Sequence, residues 1–359
     1  MKKLKVGIIG CGGIAFGKHM PNLQKTGKVK MVGFFDINPA RAEKAKAEFG
    51  TANAEIYTNY QDLLANKKID VVHVLTPNST HAPISIDALN AGKHVMVEKP
   101  MASKAADARK MVEAAKKNGK RLSVGYQSRS SVEAQYLKKM IENDELGHIY
   151  FARAIACRRR GVPTWGVFTD KEAQGGGPLI DIATHTLDMV LWLMDNYEPV
   201  SVMGSSYDYL KDTKNAANAW GPWDPEKYTV ETSAFGFIKF KNDATIVLES
   251  SWAINMAEFS QTVFAGTKAG ADMKDGLRLN GEKDGALYIN QVDVTPFTRA
   301  EYPGQKMETF EYEMNRWVDA ILYDAPQLVT GEQALVVSEI LEAIYISSET
   351  GKPYYFGEQ

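Results

Sequence analysis

Lys5-Val6-Gly7-Ile8-Ile9-Gly10-Cys11-Gly12-Gly13-Ile14-Ala15 is an apolar run that stops at a cluster of glycines. The run reads as a buried strand, and the residues from Gly13 and Ile14 onward as the start of a helix. Gly10 permits a tight turn and Gly12 lets a ligand approach the backbone. Ala15 is small enough for the helix to pack on the strand. A helix opening there points unpaired N–H groups at whatever lies over the turn, which favours phosphate. Glycine is common in any strand-to-helix turn, so a purely structural turn is the plain alternative. Asp36 decides between them, 26 positions after Gly10 and at the end of the next apolar run. A carboxylate there, with Ile37 beside it, can accept the adenosine ribose hydroxyls of a dinucleotide. Its charge repels a 2′-phosphate, which favours NAD over NADP. Arg41 weakens that preference if it reaches the cofactor; otherwise it is a surface residue on a helix.

Outward from this turn, apolar runs alternate with helical patterns. Strands are expected at Met31 to Asp36, Val71 to Thr76, Val95 to Lys99 and Leu122 to Tyr126, with a shorter one at Ile56-Tyr57. Helices are expected at Ala40 to Phe49, Ala82 to Ala91 and Ala105 to Lys117, followed by Gly50, Gly92 and Gly119. Continuous apolar strands separated by helices imply a doubly wound parallel sheet, a Rossmann domain over residues 1–126. The pattern then changes. A helix at Val132 to Asn143, a strand at Tyr150 to Cys157 and a helix at Leu179 to Met194 open a second domain, residues 127–359. Period-two runs at Ser201 to Tyr207, Thr232 to Phe240, Thr245 to Trp252 and Glu258 to Ala265 read as an antiparallel sheet. Two helices close the chain, at Thr309 to Tyr323 and Gly331 to Glu349. The fold class is α/β.

Bulk composition narrows the function. The 359 residues are 44% apolar and 24% charged, with a net charge of −2, so neither nucleic acid nor an anionic membrane is an expected partner. Cys11 and Cys157 are the two cysteines, too few for a disulfide framework. Met1 to Lys5 lead into the first strand and not into a signal peptide, so a cytoplasmic protein is expected. His19, His73, His94 and His148 lack metal-ligand spacing, and no metal is expected.

Ligands of such sheets gather at the carboxyl ends of the strands. Two motifs fall there: Thr76-Pro77-Asn78-Ser79-Thr80-His81 and Glu98-Lys99-Pro100. Asn78 and His81 suit either a cofactor or a helix cap. Lys99 is either functional or a solvated strand-end lysine. Gln127 and Arg129 follow the last strand with reach toward cofactor or substrate, and Tyr126 packs beneath them. Farther on, Gly175-Gly176-Gly177-Pro178 precedes Asp181, His185 and Asp188, which share one helical stripe opposite Met189, Val190, Trp192 and Leu193. A buried, structural Asp/His pair is the alternative to a catalytic one.

In combination these stretches resemble the glucose–fructose oxidoreductase and inositol dehydrogenase family. The matching residues are Gly10 to Ala15, Thr76 to His81, Glu98-Lys99-Pro100 and Gly175 to Asp188; Gly331 to Leu335, Ile340 to Tyr345 and Thr350 to Lys352 look like the family's last helix. The resemblance spans nearly the whole chain. It implies a large open, mainly antiparallel sheet in the second domain, through which similar proteins form homodimers or homotetramers. It also implies Lys99, Asp181 and His185 as catalytic residues, with Ala183 standing where the family usually has glycine. In that chemistry the nicotinamide takes a hydride and a base takes the hydroxyl proton; Lys99 and His185 both qualify. Arg158 to Trp165 resembles a subgroup acting on inositols or the C3 hydroxyl of glucosides. Arg158, Arg159 and Arg160 suit an anionic substrate group or a solvated loop. Trp165 suits a sugar face or the nicotinamide, and Trp220 and Trp223 a sugar platform or a packed loop. The reading is an NAD-dependent oxidoreductase of a cyclic polyol, sugar or glycoside. Redox-neutral glycoside cleavage through a 3-keto intermediate and a non-catalytic NAD-responsive regulator are its rivals.

Overall fold

The apolar runs of the first 126 residues form a parallel sheet in this computed structural model, which describes residues 3–257 and 261–357. In chain order they are β1 (Leu4–Ile9), α1 (Met20–Lys25), β2 (Val29–Phe35), α2 (Pro39–Phe49), β3 (Gly50–Ile56), α3 (Tyr60–Ala65), β4 (Val71–Val74), α4 (Asn78–Asn90), β5 (His94–Val97), α5 (Ala105–Asn118) and β6 (Leu122–Val124). A π-helical turn, Ala15–His19, joins the glycine turn to α1. Among the described residues the strand order is β3-β2-β1-β4-β5-β6. The order in which strands are added therefore reverses between β1 and β4, the place where such folds open a ligand crevice. In register, Ile9 of β1 lies beside both Phe35 and Val74, so the strands end level with one another there. Side chains explain the helix limits: Asn38 caps α2 by accepting the Ala40 N–H, and α5 stops at Gly119, whose φ of +59° suits glycine. α4 starts four residues before the expected Ala82, because the polar run Asn78-Ser79-Thr80 is its first turn.

The second half contains α6 (Val132–Glu142), β7 (Ile149–Cys157), α7 (Lys171–Gln174), a second π-helical turn (Leu179–Ala183), α8 (Thr184–Met194), β8 (Pro199–Tyr207), β9 (Ser233–Phe240), β10 (Thr245–Ser251), β11 (Val263–Gly266), β12 (Ala269–Asp272), β13 (Leu277–Lys283), β14 (Ala286–Val292), α9 (Thr309–Tyr323), α10 (Gly331–Thr350) and β15 (Tyr354–Tyr355). Among the described residues, nine of these strands form one sheet, ordered β14-β13-β12-β11-β7-β10-β9-β8-β15. It is antiparallel except where β10 runs parallel to β7. Of the strand expected from Glu258 to Ala265, residues 258–260 lie outside the described residues and β11 begins at Val263. One face of the sheet is covered: the glycine backbones of Gly204 and Gly236 lie directly under Ile344 of α10.

Compactness divides the chain differently from chain order. One unit takes the chain through Ser130 together with Met307–Ser338, and the other takes Ser131–Lys306 with the chain from Glu339 on. Residues 127–130 and α9 therefore belong with the Rossmann sheet, not with the second domain. The reason is the apolar stripe of α9: Met314, Trp317 and Val318 pack into the same core as Met20, Leu23, Met31 and Phe34.

Candidate functional site

Gly10 has φ +91°, and a Cβ there would stand 2.5 Å from the Leu75 carbonyl oxygen, so the turn requires glycine. Gly12 and Gly13 differ. Apart from their chain neighbours and the helix's own backbone, no atom of the described residues lies within 4 Å of where their Cβ atoms would be, which leaves open backbone at the head of the helix. Asp36 is tied to this turn. Its Oδ2 accepts the Cys11 N–H at 2.7 Å and its Oδ1 the Asn38 N–H at 2.8 Å. A carboxylate has about four acceptor positions, so it retains capacity for ribose hydroxyls. Ile14 and Arg41 are exposed, and Ile37 is 91% exposed. Open glycine backbone, a helix amino terminus and a carboxylate at the next strand end suit a dinucleotide. Burial, and secondarily Asp36, push the Cys11 thiol up to about 12, so it is no nucleophile near neutrality.

The ends of β4 and β5 are held from within. Pro77, exposed, precedes α4, and half-buried Asn78 is the first residue of that helix. The residue before this helix is Pro77, whose side chain makes no capping hydrogen bond, and Asn78 and His81 lie within the helix. Nor does the His81 ring face outward to a cofactor. It is fully buried, with Nδ1 2.8 Å from the Pro100 carbonyl and Nε2 2.8 Å from the Thr76 carbonyl. Burial lowers its basicity despite those two carbonyls, and a neutral ring donates to one of them. Glu98 turns inward too: its Oε1 lies 2.7 Å from His19 Nε2, and its Oε2 accepts the Lys99 N–H at 3.2 Å. His19 Nδ1 in turn lies 3.0 Å from His73 Nδ1. Sequence reading missed this chain, since its members stand 54 and 79 positions apart and only the sheet brings them together. Lys99 itself is half-buried, as is Gln127, with Tyr126 fully buried before it. Arg129 does not reach outward. Its fully buried guanidinium donates to the Leu328 carbonyl and the Gln333 side chain.

In the second unit, Asp181 lies in the second π-helical turn and His185 near the start of α8. Both are half-buried, whereas Asp188 is fully buried, so the stripe of three divides. Ala183 is fully buried. The head of this helix is clamped by Glu231, which sequence reading also missed. Its carboxylate accepts the N–H groups of Gly177 (2.9 Å) and Leu179 (3.1 Å) and the Tyr345 hydroxyl (2.9 Å). Burial raises the pKa of Glu231 against these hydrogen bonds, and raises that of Tyr345 well above its usual value. A Cβ at Gly176 would meet the Tyr345 hydroxyl at 2.1 Å, and one at Gly177 the Glu231 carbonyl at 2.5 Å. Those glycines exist to admit the clamp.

The arginine run does not act as one patch. Arg158 stacks over Trp220, its guanidinium 5.4 Å from the ring centre, and donates to the Gly161 carbonyl. Arg160 binds the Arg159 and Ile254 carbonyls and Asn255, and Arg159 is exposed. Trp165 is 51% exposed and meets Trp220 edge to face. Trp223 is instead buried, donating to the Lys211 carbonyl. This loop and the Asp181 helix share a core, for Ile182 packs against the cluster that includes Val162, Trp223, Tyr228 and Trp252.

Among the described residues, no three His, Cys, Asp or Glu side chains are grouped to hold a metal, and no helix is long and apolar enough to cross a membrane. A cleft of about 670 Å³, lined by Leu4, Asp70, Lys93 and His94 among others, opens at the amino-terminal edge of the parallel sheet. It lies at the opposite end of the strands from the glycine turn and takes no part in the candidate site.

The comparison with known proteins matches both halves. The oxidoreductase family with an NAD-binding Rossmann fold (GFO/IDH/MocA) matches residues 4–126, and the GFO/IDH/MocA C-terminal domain matches residues 134–272. D-glucoside 3-dehydrogenase of Escherichia coli K12 is 34% identical over 350 residues, 97% of this chain and 96% of that protein. Inositol 2-dehydrogenase of Salmonella typhimurium LT2 is 31% identical over 234 residues, 64% of each chain. Levoglucosan dehydrogenase, solved with NADH and levoglucosan, is 21% identical; the likeness has a TM-score of 0.83, covers 99% of this chain and 100% of that one, and shows the common fold. With both domains matched and a relative at this identity along nearly its full length, the chain belongs to the GFO/IDH/MocA oxidoreductase family.

Proposed function

We propose that the protein oxidises a ring secondary alcohol of a glycoside, sugar or inositol with NAD. The observation that carries this reading is the near-full-length similarity to a D-glucoside 3-dehydrogenase in a chain that has Lys99, Asp181 and His185. When bound, the nicotinamide supplies the hydride acceptor. The open backbone at Gly12 and Gly13 holds the pyrophosphate, and Asp36 takes the ribose hydroxyls and discriminates against NADP. Thr76, Pro77, Asn78 and Gln127 border the cofactor at the strand ends, while Glu98 supports the Lys99 turn from within. Lys99 donates to the oxygen of the reacting hydroxyl, His185 receives its proton, and Asp181 stabilises the resulting imidazolium. Arg158 and Trp165 contribute to the sugar subsite, where an exposed aromatic face suits a pyranose ring. Two unpaired, buried cysteines accord with a cytoplasmic setting.

The test is a panel of glucosides, free sugars and inositols with NAD and, separately, NADP, followed by cofactor absorbance. The expected result is NAD reduction with a glucoside or polyol, and loss of about 100-fold or more in kcat for Lys99→Ala and His185→Ala. Full turnover by both variants would remove the assignment. Release of an aglycone without accumulated NADH would replace it with redox-neutral glycoside cleavage.

A further inference from the structure

The turn that carries Lys99 is held from inside the first unit by three buried imidazoles, and the chemistry proposed above uses none of them. His19 ends the first π-helical turn, His73 lies on β4 and His81 on α4. His19 and His73 grip the turn through the Glu98 carboxylate, and the His81 ring lies between the Pro100 and Thr76 carbonyls, 2.8 Å from each.

The hydrogen-bond pattern assigns the protons. One hydrogen must lie between the two Nδ1 atoms, 3.0 Å apart. If His19 supplied it while also donating to Glu98, His73 would carry its own proton on Nε2. That atom is buried and has no hydrogen-bond partner among the described residues. If His73 supplies it, His19 accepts at Nδ1 and donates at Nε2, and only a lone pair is left over at His73 Nε2. A stranded buried N–H is the rarer and costlier defect. Burial and the neighbouring His19 also hold His73 well below its ordinary basicity, so it stays neutral. The chain therefore runs one way, from His73 to His19 to Glu98, and ends on a carboxylate whose second oxygen accepts the Lys99 N–H. Charge-assisted bonds of this kind are the stronger ones and fix geometry as well as energy.

We propose that His19 and His73, with His81 on the other side of the turn, are positioning residues for Lys99: a directional imidazole chain orients the Glu98 carboxylate and with it the backbone from which Lys99 projects. The inference rests on the reading of Lys99 as the group that meets the substrate hydroxyl.

The experiment uses the full chain with His19→Ala, His19→Gln, His73→Leu and His73→Asn. Gln can reproduce the Nε2 donor at position 19, and Asn the Nδ1 donor at position 73. Steady-state kinetics with the preferred polyol should show kcat reduced about tenfold or more in His19→Ala, with the KM for NAD little changed; misplacing a catalytic group by a fraction of an ångström has effects of this size. Gln at 19 and Asn at 73 should recover most of the loss, and Leu at 73 should not. Histidine-labelled ¹⁵N NMR of the unmodified protein should find His73 protonated at Nδ1 and His19 at Nε2. Equal kinetics for His19→Ala and His19→Gln, or a proton on His73 Nε2, would overturn the proposal. If His19→Ala does not fold, the His73 pair and the tautomer spectrum decide the matter. Absence of turnover in the unmodified protein would count against the reaction assigned to Lys99, and the spectrum would still decide whether the imidazole chain exists.

Discussion

Asp36 commits one oxygen to Cys11 and the other to Asn38, both through backbone N–H groups that no substitution of those side chains removes. Its position is therefore set by the main chain, and its charge is the part of the proposed NAD preference most easily isolated. Replacing it with serine keeps a short acceptor and deletes the negative charge that opposes a 2′-phosphate. The expected outcome of Asp36→Ser is a fall of about tenfold or more in the ratio of kcat/KM for NAD over NADP, since like-charge repulsion at contact is worth more than 1 kcal/mol. An unchanged ratio in paired cofactor titrations would mean that Asp36 does not discriminate. Other residues show why single positions mislead when read alone. Read alone, the Arg158-Arg159-Arg160 run suits an anionic substrate group or a solvated loop, yet Arg160 donates to the Ile254 carbonyl and Asn255, about 95 residues away in sequence, as well as to the Arg159 carbonyl. His81 lies in a strand-end motif, but the carbonyls around its ring turn it inward.

At the scale of elements, the helices that follow the glycine turn and the Gly175-Gly176-Gly177 segment both open with a π-helical turn. Such a turn holds one extra residue, which rotates everything after it by about 100° relative to a continuous α-helix. His19, the last residue of the first turn, lies 2.7 Å from Glu98 Oε1, and the Glu231 carboxylate holds the Gly177 and Leu179 N–H groups at the head of the second. The clamp gives a steric prediction. Gly176→Ala should destabilise the protein by about 1–3 kcal/mol, the usual effect of overpacking, because its Cβ would meet the Tyr345 hydroxyl at 2.1 Å. Combining it with Tyr345→Phe should recover part of that loss, a non-additivity that a double-mutant cycle in urea would detect. Strict additivity would show that the glycine is not there to admit the tyrosine. Gly177→Ala should find no such relief, since its obstacle is the backbone carbonyl of Glu231.

At the scale of the whole molecule, one face of the nine-stranded sheet carries exposed apolar side chains among the described residues. Val202 and Ile238 point into the core, while their neighbours Met203 and Phe237, paired across β8 and β9, are 45% and 50% exposed. An open apolar sheet face of this kind marks an association surface, and we propose that it pairs with a second copy of the chain. Light scattering on a sizing column should give a dimer or tetramer, and Phe237→Lys should shift it toward monomer without loss of NAD binding. A monomeric unmodified protein at micromolar concentration would end that proposal. The two folds themselves were legible from pattern, because strand-length apolar runs, helix periodicity and glycine stops are local properties of the chain. One more hairpin was written locally and went unread: Asp284-Gly285, both at positive φ, is the two-residue turn between β13 and β14. The sequence alone thus determined the parallel sheet, the glycine turn, the lysine at the end of β5 and the Asp181/His185 spacing. Only the tertiary structure decided that α9 packs with the first sheet, that Glu231 and Tyr345 hold the second glycine segment, and that two histidines stand behind Glu98. Those partners lie tens to hundreds of residues apart, and no local pattern encodes which buried polar groups will meet once the sheets have formed.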